Sequence, residues 1–138
     1  MKTAKIVIHT HHISTHFTNG LFPVSSILLT LFLITPKGPF ESASFYCAIF
    51  GTLGIFPTYF SGIYDWKTRF KGRKTKIFNR KTGFGLLLLL LGIIFVFWRL
   101  ADSQIMYSES MGKIVFVATN YALSGLAGYL GYLGGKFI

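Results

Sequence analysis

Four stretches of this chain are apolar for long enough to cross a bilayer: about Phe17 to Thr35, Phe40 to Tyr64, Thr82 to Trp98 and Lys113 to Gly135. A hydrocarbon core about 30 Å thick needs roughly 20 predominantly apolar residues per helix, with a range of about 17 to 25. Between the first two stretches stands only Pro36-Lys37-Gly38-Pro39, a cluster of helix breakers that must reverse the chain into a hairpin. The pattern predicts an all-α protein, an integral membrane four-helix bundle. A histidine-rich amino-terminal segment over residues 1–16 precedes a four-span domain over 17–135, which carries a basic loop over 65–81.

Composition supports this reading. The chain is 51% hydrophobic and only 13% charged, whereas a soluble domain is about one quarter charged. Of its 14 Lys and Arg residues, Lys67, Arg69, Lys71, Arg73, Lys74, Lys76, Arg80 and Lys81 lie in the connector between the second and third stretches. Insertion leaves cations on the cytoplasmic side, so this loop is expected inside, with both chain termini beside it. Lys2, Lys5 and Lys136 then join the inside set, leaving Lys37, Arg99 and Lys113 outside with Glu41, Asp102 and Glu109. Tyr64, Trp66, Trp98 and Tyr107 fall near the expected boundaries, where amphipathic rings sit at headgroup level.

The net charge of +10 is therefore topological, and nucleic acid is not expected as a partner. Anionic lipid headgroups are, at about 1 kcal/mol per surface cation. A single cysteine, Cys47, excludes an intrachain disulfide and any CxxC motif. The first residues lack the apolar core and small-residue cleavage site of a removable signal peptide.

Lipid tails are as apolar as leucine, so the helices must associate through close packing and polar contacts. Small residues recur at helical spacing in Ala43, Cys47 and Gly51 of the second span. In the fourth span they recur in Ser124 and Gly128, and in Ala127, Gly131 and Gly135. Both sets are expected seams. The third span, with its Leu86 to Leu91 run, is expected to face lipid more than its neighbours. Pro23 and Pro57 lie inside spans and are expected to kink them.

Candidate chemistry is concentrated in the histidines. His9, His11, His12 and His16 all fall just before the first span, and on a helix His9, His12 and His16 share one face. His12 and His16, spaced i and i+4, could chelate a metal. Two axial imidazoles on a haem iron approach from opposite faces, yet no histidine lies beyond position 16. A second ligand would have to be Met106 or Met111, both expected across the membrane, come from another protomer or subunit, or be absent, and the rival reading is a run of interfacial histidines with no ligand at all. Asp65 is the one acid at the inner boundary and could pair with Arg69 or a histidine. No nucleophile and base, no phosphate loop and no pair of cooperating carboxylates is readable, so no catalytic residue is expected.

The histidines opening the first span, Ser61-Gly62-Ile63-Tyr64-Asp65-Trp66 closing the second, and the terminal Tyr132-Leu133-Gly134-Gly135 resemble a family of small bacterial four-span membrane proteins, DUF2231. Its members open with HPxxVHFP, which aligns with residues 11–18. His11, His16 and Phe17 match, while both prolines are absent. Asp65-Trp66 and the basic residues after it resemble the extension in one branch. Many relatives carry a further histidine near the start of the third span, where this chain has Asn79, Arg80 and Lys81.

Family members linked to cytochrome c and other redox modules imply an electron-transfer setting in the bacterial cytoplasmic (inner) membrane. The expected function is a subunit binding haem b or quinone near the cytoplasmic face. His11 and His16 would be the axial ligands, with His12 beside them, and Asp65 and Arg69 would orient a propionate or a quinone oxygen. Expected partners are lipids, other redox subunits or further copies of the chain. A non-catalytic anchor or assembly subunit is the rival reading, and a transporter ranks last because the span cores carry no paired charges.

Overall fold

The computed structural model describes residues 2–135. It contains four helices, α1 (Lys2–Ile34), α2 (Gly38–Arg69), α3 (Lys76–Ala101) and α4 (Met111–Gly135), each long and apolar enough to cross a membrane. They form a closed square in which α1 packs on α2 and α4, and α3 packs on the same two, with no contact across either diagonal among the described residues. The α1/α2 seam is the most extensive.

Local sequence sets the helix limits. Pro39 lies in the first turn of α2, where a missing N–H costs nothing, and Glu41 in that turn complements the positive end of the helix dipole. Thr75 caps α3 by accepting from the Phe78 N–H at 3.3 Å. α1 and α2 continue through Pro23 and Pro57 as single helices. At about 1.5 Å per residue both are about 50 Å long, well beyond the hydrocarbon thickness. Helix α1 also includes residues 2–16, so the histidines sit on its opening turns.

The inward face of α1 is read at Ser14, Thr18, Phe22, Ser25, Leu29 and Phe32, spaced three or four apart and all buried. Its polar members tie the bundle together. Ser25 and Ser44 exchange hydrogen bonds, each hydroxyl donating to the other's carbonyl at 2.8 and 2.7 Å. Asn120 on α4 donates to Ser25 Oγ at 3.0 Å and accepts from Ser26 at 2.7 Å, while Ser124 donates to the Phe22 carbonyl at 2.8 Å. Contacts of this kind replace the hydrophobic drive that lipid removes.

Two expected seams shift. On α2 the buried positions include Ser44, Ala48 and Gly51, whereas Ala43 and Cys47 are only partly buried and flank the seam instead of forming it. On α4, Ala127 is buried and Gly131 meets Asn19, but Gly128 points into open space. The surroundings of Gly135 and the position of Lys136 lie outside the described residues. Nor is α3 the least covered helix; α4 is. α3 is held by Gly85 against Tyr59, Gly92 against Thr52, and Phe95 stacked on Phe116 at 4.2 Å. The open face of α4 carries Ala118, Ala122, Gly125 and Gly128, too small to cover the helix.

The two ends of the bundle differ. At one, the start of α1, the end of α2 with its basic loop, the start of α3 and the end of α4 come together, as the contacts His11–Ser61 and Asn19–Gly131 show. The loop is pinned where Trp66 Nε1 donates to the Arg73 carbonyl at 2.7 Å. Gly72 follows Lys71 there, both at positive φ, and glycine takes that conformation freely. At the other end, Arg99 forms a bidentate ion pair with the buried Glu41. The α3–α4 connection tucks Ile105 and Met106 into the core.

Candidate functional site

At the basic end the four helices diverge around a cavity of about 520 Å³, a size typical of small-ligand sites. The space exists partly because glycine lets neighbours approach. A side chain at position 62 would meet the His11 ring at 3.2 Å. The lower wall is apolar, made by Ile55, Leu88 and Leu130, while Tyr59, Trp66, Phe70 and Phe78 line the flanks. Phe70 and Phe78 lie 4.9 Å apart, and Trp66 stands 6.2 Å from Phe78.

All five residues singled out from the sequence, His11, His12, His16, Asp65 and Arg69, line this one cavity. Their roles in the geometry differ. His11 is half-buried, and its Nδ1 lies 3.0 Å from the Thr58 carbonyl and 3.1 Å from Ser61 Oγ. A carbonyl only accepts, so Nδ1 carries the proton. Among the described residues Nε2 makes no hydrogen bond, and the ring that carries it lines the cavity. His12 and His16 are exposed at the rim, with the His12 ring 6.0 Å from that of His11.

The face shared by His9, His12 and His16 thus points outward, and the inward histidine is the one off that face. His11 falls in register with Ser14, Thr18 and Ser25, a stripe whose hydroxyls hid it from a search for apolar periodicity.

Asp65 pairs with Arg69, one turn on, at 3.6 Å. Arg69 is 51% exposed, so this pair contributes little to stability and leaves the guanidinium at the cavity mouth. Sequence reasoning did not single out Lys81 as a site residue, naming it as a loop cation and as one of three residues where relatives carry a further histidine. It is partly buried and lines the wall supplied by α3, whereas the adjacent Asn79 and Arg80 are exposed. The signals in the sequence were its place in the first turns of the third span and its nearness to the relatives' further histidine. Thr58, Tyr59 and Asn19 also line the cavity without having been singled out.

The donor set does not fit a six-coordinate haem b within one chain. His11 and His16 lie on the same helix little more than one turn apart, so they cannot approach an iron from opposite faces. Met106 is buried in the core at the far end, and Met111 is exposed there. Among the described residues no three His, Cys, Asp or Glu side chains group as a metal site. An apolar pocket with hydrogen-bonding groups at its mouth instead suits an amphiphile with a polar, oxygen-bearing head.

Comparison with curated proteins and with solved structures gave no match. The profile of the family DUF2231, described as a predicted membrane protein, matches residues 8–138, which takes in the cavity and all four helices except the opening residues of α1. The chain therefore belongs to the DUF2231 family of membrane proteins.

Proposed function

We propose that the protein is a membrane subunit of an electron-transfer chain that binds a quinone in the cavity at its basic end, with that end facing the cytoplasm. The observation that carries the reading is the cavity itself: an apolar and aromatic chamber whose mouth gathers His11, Asp65, Arg69 and Lys81. A quinone head needs hydrogen-bonding groups at headgroup level, and its isoprenoid tail needs apolar surface toward the bilayer centre. The cationic loop supports the orientation, since lysine and arginine collect on the cytoplasmic side.

Trp66 lines the cavity and Trp98 lies at the far end of α3, so a Trp98→Phe background isolates the reporter. In detergent, decylubiquinone is expected to quench Trp66 emission saturably. Quenching that rises linearly with quinone, as simple partition into micelles gives, would sink the reading.

Orientation is checked separately. With Cys47→Ala and Lys74→Cys, a membrane-impermeant maleimide is expected to label inverted vesicles and spare right-side-out ones; labelling of the latter reverses the topology.

A second reading, a non-catalytic anchor within a larger complex or a homo-oligomer, is favoured by the sparsely covered α4 face with Ala118, Ala122, Gly125 and Gly128 exposed. Small residues on a lipid-facing helix permit close approach of another helix. This reading stands if the Trp66 titration fails.

A further inference from the structure

We infer that the cavity selects the hydroquinone over the quinone form of its ligand, through a ring nitrogen of His11 that is held as a pure acceptor. The inference rests on the quinone reading above and deepens it.

The argument begins with the fixed tautomer. Nδ1 of His11 faces α2, where the Thr58 carbonyl at 3.0 Å can only accept. The Ser61 hydroxyl, 3.1 Å away, donates its own proton toward the Pro57 carbonyl and so accepts from the ring as well. Both partners demand a proton on Nδ1. Lys81 and Arg69 already bring two cations to the cavity against the single carboxylate of Asp65, and a third positive charge there would be repelled. The ring is therefore neutral and Nε2 is bare.

A bare nitrogen discriminates where the other groups do not. Lys81 and Arg69 donate to an oxygen whether it is a carbonyl or a hydroxyl, so both redox forms of the ligand satisfy them. Nε2 can be satisfied only by a ligand that brings a hydrogen, which the hydroquinone has and the quinone lacks. Opposed to a carbonyl oxygen, two lone pairs would face each other. Gly62 lets the ring lie close against α2, where an added Cβ would stand 3.2 Å from it.

The test uses the full-length protein in detergent, with decylubiquinol and decylubiquinone titrated against Trp66 emission under anaerobic conditions. The quinol is expected to bind about fivefold more tightly, the equivalent of one net hydrogen bond. His11→Asn is the informative variant, because its amide nitrogen can still donate to Thr58 from the Nδ1 position but offers nothing at Nε2. It is expected to bind both forms alike. Equal binding of the two forms by the wild-type protein overturns the inference while leaving the quinone reading intact; binding of neither overturns both. Should His11→Asn fail to fold, 15N NMR of histidine-labelled wild-type protein decides the tautomer directly. A protonated Nδ1 with a bare Nε2 is expected for His11, and a proton on Nε2 overturns the inference.

Discussion

Replacing Arg99 with alanine is expected to destabilise the bundle by about 3–5 kcal/mol, the range for removing one partner of a buried ion pair. The guanidinium holds Glu41 through two hydrogen bonds, at 2.5 Å from Nε and 3.0 Å from the terminal nitrogen, and its Cζ lies 4.8 Å from the centre of the Phe45 ring. Glu41 is 2% exposed, so without Arg99 it becomes a carboxylate with neither water nor countercharge. The double replacement Glu41→Leu with Arg99→Met is expected to recover most of the loss, because the cost lies in the orphaned charge and not in the missing pair. Arg99→Lys keeps the charge but cannot reproduce the two-pronged geometry, and is expected to fall between wild type and alanine. Denaturant unfolding in micelles followed by circular dichroism measures all three. A loss below about 1 kcal/mol for Arg99→Ala would show that water reaches the pair.

The second large effect is expected at Gly54. A Cβ there would stand 2.5 Å from Thr18 Oγ1 and 3.0 Å from the Phe17 ring. Thr18 cannot retreat easily, since it is buried and donates to the Gly51 carbonyl across the same seam at 3.2 Å. Gly54→Val must push α1 from α2, and overpacking of this kind costs about 1–3 kcal/mol. The matched control is Gly128→Val on α4, where nothing lies within 4 Å and unfolding is expected to shift by no more than about 0.5 kcal/mol. If the two variants unfold alike, the α1/α2 seam is looser than the structure describes.

These two sites mark where sequence reasoning reached and where it stopped. Four spans and their hairpins were legible because span length and charge placement act along the chain, one residue after another. Faces were harder. The inward stripe of α1 mixes Ser14, Thr18 and Ser25 with Phe22, Leu29 and Phe32, so in a helix apolar all round no hydrophobic periodicity marks which side turns in. That mixture concealed His11 as the inward histidine. Glu41 and Arg99 read as outside charges at span boundaries, 58 residues apart in sequence, and only the antiparallel packing of α2 on α3 makes them partners. Lys81 was hidden for the converse reason, as one cation among the many of its loop. His11, His12, His16, Asp65 and Arg69 line one cavity because all five flank the ends of spans that short or basic connectors bring to the same side.

The α3–α4 connection has a further bearing on how the molecule is used. With Ile105 and Met106 folded into one end of the bundle and Phe22, Phe95 and Phe116 filling its middle, the chamber beneath the basic loop is a cul-de-sac. Packed side chains close it along the bundle axis, so nothing that enters can travel through the helices to the opposite end.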